Sequence, residues 1–195
     1  GKTARMSGKM GYMSTKGGET GAENYFCANN GKQAKRGYMD FYGQMLMSPV
    51  LRRQIKLRRS ESIYEPDFTR VTYLTNDPAS LDGLRPYFVV KDEMEAEVSF
   101  DQINQILRPM KKRRQPLLWY TMTAGTVLDG PAMYHYLYAK KVLDRDPELD
   151  ERAIDSYLPI IYEIDAGLDY HDPETWIMAN PAMGVLLDLE DMVLD

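Results

Sequence analysis

A single cysteine, Cys27, excludes any disulfide framework within this chain and fits a reducing compartment. Long hydrophobic runs are missing as well: the apolar stretch at 157–162 is far too short to span a bilayer, and no segment reads as a secretion signal. Positive charge is not in excess. Lys and Arg number 24 against 29 Asp and Glu, a net charge of −5, so nothing draws nucleic acid to the chain as a whole and any such contact needs a local basic patch. The two histidines, His135 and His171, lie too far apart for metal-ligand spacing, and each reads as structural or solvated. No internal repeat or low-complexity tract occurs, which excludes solenoids and arrays. What is present is an ordinary globular composition, 44% hydrophobic and 27% charged over 195 residues, enough for one domain with a real core and a small appendage. The abrupt opening on Gly1-Lys2-Thr3 and the abrupt end at Asp195 suggest a piece of a longer protein.

The chain is organised around Tyr87-Phe88-Val89-Val90-Lys91-Asp92-Glu93. Four apolar or aromatic residues followed by a charged break suit a buried strand of a parallel sheet. Where such a strand stops, its last side chains face the crevice beyond the carboxyl edge of the sheet, where α/β ligands bind. A carboxylate pair there fits two jobs: Asp92 holding a magnesium ion and Glu93 polarising an attacking water, the Walker B arrangement of nucleoside triphosphatases. An acidic cap after a core strand is the competing account.

The flanking segments alternate between strand and helix signals. Residues 4–16 predict a helix with Met6, Met10 and Met13 as a core stripe, although Gly8 and Gly11 disfavour it. Strands are predicted at 23–28, 55–58, 70–75, 115–123 and 156–164, the last of them placed by Pro159 either at an edge or starting after that residue. Helices are predicted at 32–47, after Ser99 as an N-cap, at 130–143 with Met133, Leu137 and Tyr138 on one face, and at 172–179 behind Asp172. Asn76-Asp77-Pro78 reads as a turn. Two basic clusters, Arg52, Arg53, Arg58 and Arg59 around Lys56, and Lys111 to Arg114, are either solvated surface or phosphate grips. Cys27 reads as a small buried hydrophobe. The fold class is α/β with a mainly parallel sheet flanked by helices.

Taken in order, Gly1-Lys2-Thr3, Ala28 with Gln33-Ala34, Leu81-Asp82-Gly83, Val89-Val90-Lys91-Asp92-Glu93, Gln115-Pro116-Leu117 through Thr121-Met122-Thr123-Ala124-Gly125, and Trp176 through Asn180-Pro181 with Gly184 form a series. The series resembles the ATPase domain of the large terminase subunit of tailed bacteriophages, over nearly the whole chain. The resemblance implies a P-loop fold lacking its first strand, an N-terminally truncated ATPase domain over 1–165, and a linker over 166–195 leading toward an absent nuclease domain. It implies ATP and Mg2+ as cofactors: Gly1, Lys2 and Thr3 at the nucleotide phosphates, Thr3 and Asp92 at the metal, and Glu93 as the catalytic carboxylate. Thr121, Thr123 and Gly125 become a coupling segment, and Arg85 a candidate arginine finger toward a neighbouring subunit. Double-stranded DNA, a portal protein, a small terminase subunit and a homo-oligomeric ring are the implied partners, in the cytoplasm of a bacterial host, with no membrane and no place in the mature virion.

Lys91 stands where such strands are usually apolar, so either a neighbouring carboxylate pairs with it or the copy has diverged. The tail residues Asp188, Glu190, Asp191 and Asp195 read as a solvated linker or the entry to the nuclease domain, not as a metal site. Two other classes stay open: another P-loop translocase or helicase, for which no helicase motif follows Gly125, and a non-catalytic α/β fragment that binds a partner through its basic clusters.

Overall fold

The structure, a computed structural model, describes residues 2–75 and 83–185. Gly1, the 76–78 turn, the Leu81-Asp82 step and the acidic tail lie outside them. Strands β1 (Glu23–Cys27), β2 (Ile55–Leu57), β3 (Glu61–Tyr64), β4 (Thr69–Tyr73), β5 (Pro86–Lys91) and β6 (Leu117–Tyr120) form one sheet in the order β2-β3-β4-β1-β5-β6. The pairs β4–β1, β1–β5 and β5–β6 are parallel, whereas β2–β3 and β3–β4 are antiparallel. All six residues of β5 are buried, as a strand covered on both faces requires.

Helices α1 (Lys2–Lys16) and α2 (Gly31–Met47) cover one face. Their Met6, Met10, Met13, Tyr38, Phe41 and Met45 pack with Phe26, Phe88 and Val90. The methionine stripe is therefore core, and burial overrides the poor propensity of the glycines in α1. Asn30 caps α2 by accepting a hydrogen bond from the Gln33 amide at 3.0 Å. On the opposite face α3 (Asp101–Met110) sets Ile106 and Met110 against Tyr25, Cys27 and Val89. The strand period of two thus sends Val89 and Lys91 toward α3, and Phe88 and Val90 toward α1 and α2.

The β1–β5 pairing slips by one residue between Glu23 and Asn24: Glu23 stands opposite Pro86 but Asn24 opposite Phe88. A buried amide accompanies the slip. Asn24 Oδ1 accepts from the Phe88 amide at 3.2 Å, and Asn24 Nδ2 donates to Ser14 Oγ at 3.0 Å.

The chain divides into two compact units, Gly1–Tyr136 and Leu137–Asp195, with α4 (Pro131–Leu143) running through the division. The second unit holds α5 (Glu151–Asp155), capped by Asp150, and α6 (Trp176–Ala179) after a 3-10 turn at Pro173–Thr175. Lys140 pairs with Glu163 at 2.7 Å, and Tyr138 meets Tyr157 edge to face. Among the described residues no helix is long and apolar enough to cross a membrane.

Four expectations change. The strand predicted at 156–164 does not form: those residues are irregular, and Leu158 and Ile160 are exposed. Pro159 has no amide to give a ladder, and alternation alone cannot create a partner strand. β3 was not foreseen, because its inward residue is Ser62, whose hydroxyl meets the Tyr38 hydroxyl at 2.7 Å. On α4 the buried residues are Pro131, Ala132, Ala139 and Val142, and Leu137 is exposed. Last, α3 is entered from Phe100; Ser99 sits one residue earlier and accepts from the Asp101 amide at 3.3 Å.

Candidate nucleotide site

The carboxyl end of β5 brings together residues far apart in sequence. Because Lys91 faces α3, the next residue, Asp92, faces the α1 side. There Lys2 Nζ lies 2.9 Å from Asp92 Oδ1. The same oxygen accepts from Thr121 Oγ1 at 2.6 Å and from the Glu93 amide at 3.0 Å. The Asp92 amide donates to the Cys27 carbonyl at 2.8 Å, which fixes the strand end to β1. Thr121 Oγ1 also reaches Met6 Sδ at 3.5 Å, so the end of β6 touches both β5 and α1. β6 stops at Tyr120, earlier than predicted, although the Thr121 amide still donates to the Lys91 carbonyl at 2.9 Å.

Glu93 adopts a left-handed conformation, φ 56° and ψ 48°. A non-glycine residue pays about 1–2 kcal/mol for this and keeps it only where its surroundings dictate the turn. Among the described residues nothing in the protein hydrogen-bonds the Glu93 carboxylate, which leaves both oxygens available. A 3-10 turn follows at Met94–Ala96, with Met94 fully buried against Ile103 and Ala132.

The 121–130 segment meshes with this turn. Met94 donates its amide to the Thr121 carbonyl at 3.2 Å, and Thr123 Oγ1 donates to Glu95 Oε1 at 2.6 Å. Glu95 Oε2 is buried without a partner. A Cβ on Gly125 would stand 2.7 Å from Glu95 Cβ, and one on Gly130 2.7 Å from the Glu97 carbonyl oxygen, so both positions require glycine. Glu95, Glu97 and Gly130 escaped the sequence reading, because their significance lies in partners about 28–33 residues away that no local spacing reveals.

The remaining candidates are spread out. Thr3, in the first turn of α1, lines an open cleft with Met39, Asp40, Gly43, Gln44 and Met47. Arg85 precedes β5, at the opposite end of that strand from Asp92; its amide donates to Glu23 Oε2 and its carbonyl accepts from Arg113. Arg113 also pairs with Glu19 at 2.5 Å, which removes it from the second basic cluster as a free cation. His135 lies among Phe100, Tyr120 and Tyr134, and burial lowers its pKa.

Cys27 is buried on β1 beside Lys91. Burial pushes its thiol up to about 11, only partly offset by the Lys91 charge. Since the thiolate is the nucleophile, alkylation at pH 8 is expected to be negligible in the folded protein and complete in denaturant, as mass spectrometry would read it. Rapid native-state labelling would contradict the burial.

Among the described residues no group of three or more His, Cys, Asp or Glu side chains converges as a stand-alone metal cage. The Asp92 carboxylate and the Thr121 hydroxyl beside it are hard oxygens of the kind that bind magnesium together with nucleotide phosphates, and the Lys2 ammonium is suited to the phosphates, not to the metal.

Comparison with known proteins agrees with this architecture. The family described as terminase large subunit, ATPase domain, matches residues 1–141. Protein YmfN of Escherichia coli (strain K12) is 34% identical over 104 residues, which is 53% of this chain and 22% of that protein. The crystal structure of the HK97 bacteriophage large terminase superposes over 100% of this chain with a TM-score of 0.81 at 20% identity, using 40% of its own length. The chain thus spans less than half of either relative. Since the matching family covers the sheet, α1 and the Asp92–Glu93 turn, this chain belongs to the ATPase-domain family of terminase large subunits.

Proposed function

We propose that this chain is the ATP-hydrolysing part of a motor that drives double-stranded DNA into an empty phage capsid. The observation that carries the reading is the convergence of Lys2, Asp92 and Thr121 at the carboxyl end of the central strand, beside the start of α1. Lys2 neutralises phosphate oxygens and, with Gly1 and the amides at the start of α1, receives the β and γ phosphates. Thr3 and Asp92 would hold Mg2+, which would supply screening of charge on the phosphates. As nucleotide enters, Lys2 exchanges Asp92 for phosphate. Glu93 orients the attacking water, and in-line attack then depends on positioning and charge neutralisation. Thr121, through its bond to Asp92, and Thr123 and Gly125, through Glu95, carry the state of the site into the following segment. Arg85 is retained as a candidate finger for a neighbouring subunit's nucleotide.

Membership of the family supports a wider reading. The ATPase domain runs over 1–165 and 166–195 leads toward a nuclease domain. The motor works as a ring on a portal protein, with a small terminase subunit, in the host cytoplasm, and is left out of the mature virion.

For DNA, the first basic cluster is the better supported grip. Arg52, Arg53, Lys56, Arg58 and Arg59 are exposed on and around the edge strand β2, and among the described residues none has an acidic partner. The test is ATP turnover by the full-length protein with and without duplex DNA. Stimulation by DNA is expected, fading between about 50 and 200 mM salt as released counterions lose their advantage. The Lys56→Ala/Arg58→Ala variant is expected to flatten the log–log salt slope of binding by about 2, near one unit per lost phosphate contact. Salt-independent turnover, unaffected by DNA, would count against the motor.

A further inference from the structure

Lys91 is fully buried beneath α3, as the last residue of β5 and immediately before Asp92. Its ammonium pairs with the Glu97 carboxylate and donates to Gln102 Oε1 at 2.6 Å. Cys27, its register partner on β1, donates its thiol to the same Gln102 oxygen at 3.3 Å. A buried ion pair is a poor way to gain stability, since well-packed apolar side chains of similar volume do as well or better. The pair therefore calls for another account.

Its position supplies one. Lys91 and Glu97 bracket Asp92, the left-handed Glu93 and the 3-10 turn at Met94–Ala96. Lys91 is held by the sheet, where its carbonyl accepts from the Thr121 amide at 2.9 Å. Glu97 is held from outside, with its carbonyl against Gly130. Joining the two ends through Nζ and the carboxylate closes the turn into a ring anchored to α3 by Gln102. A left-handed glutamate persists only where such constraints over-determine it.

We propose that Lys91 and Glu97 form a clasp that fixes the turn carrying Glu93, which makes Lys91 a positioning residue for ATP hydrolysis. This rests on the ATPase reading above, but it concerns side chains that reading does not use. An apolar residue at 91 would pack equally well and leave the turn loose.

The test uses the full-length protein with Lys91→Met and with the paired Lys91→Met/Glu97→Met, which removes both charges and spares the fold an unpaired one. For the paired variant the expected results are a denaturation midpoint at or above that of the parent, kcat at least tenfold lower with KM for ATP within twofold, and amide exchange across 93–97 at least tenfold faster with β1 and β5 unchanged. Unchanged exchange across 93–97 overturns the clasp whatever the activity. Faster exchange with unchanged kcat overturns the positioning role. A paired variant that fails to fold overturns it too, because the pair would then be serving stability. A parent without ATP turnover overturns the ATPase reading instead, and the exchange measurement still decides the clasp.

Discussion

Replacing Glu93 with glutamine in the full-length protein is expected to lower ATP turnover about 10²- to 10⁴-fold, the range for losing a positioned proton acceptor. ATP binding should stay within a few-fold of the parent. The argument is local. Glu93 and glutamine are nearly isosteric, so the left-handed turn and the buried Met94 that follows it should persist. The Lys2–Asp92 contact involves neither Glu93 oxygen. Only the ability to accept a proton from water is removed, and that ability matters in the transition state more than in the bound complex. A kcat-specific loss, with nucleotide affinity retained in a fluorescence titration, is the signature. Turnover equal to the parent would assign the hydrolytic role elsewhere.

Asn24→Leu is expected to destabilise the protein by about 2–5 kcal/mol, since it strands two buried polar partners at roughly 1–3 kcal/mol each. Leucine is close in volume, so the loss is not a cavity. What changes is that the Phe88 amide loses its acceptor at the slip in the β1–β5 ladder, and Ser14 loses the donor that Asn24 supplied. Ser14 keeps its own bond to the Met10 carbonyl, which sets the estimate below the sum of two complete losses. A chemical denaturation curve reads this as a lower midpoint with little change in slope. Since folded domains hold only about 5–15 kcal/mol in reserve, a variant near the upper figure would be partly unfolded at working temperature. An unshifted midpoint would mean that water takes over both bonds and that the slip does not depend on the amide.

The two cases differ in how far sequence reaches them. Asp92 and Glu93 are adjacent, follow an apolar run and precede a charged break, so their position at a strand end is legible from pattern. That Lys2 would meet Asp92 required only that α1 begin beside the end of the strand, and the structure has them 2.9 Å apart. Asn24 carries no such mark. It sits in a short aromatic strand where any polar residue looks like the outward member of an alternation, yet it is completely buried. Glu97 is similarly silent: in sequence it belongs to an acidic run, and only the fold shows that Lys91 lies beneath it. Errors ran the other way too. Tyr157, Leu158, Ile160, Ile161 and Tyr162 have strand-like composition, but among the described residues none pairs with them in a ladder. On α4, apolar residues stand nearly all the way round, so periodicity could not select the buried side.

Gly125 and Gly130 have a mechanical consequence. Where two loops touch through side chains, rotamer changes absorb small displacements. Here the backbone of one loop rests directly on residues 95 and 97 of the other, with no room for even a methyl group. Such a joint has little slack. A shift of the acidic turn by a fraction of an ångström must push the neighbouring segment bodily, as one tooth of a gear drives the next.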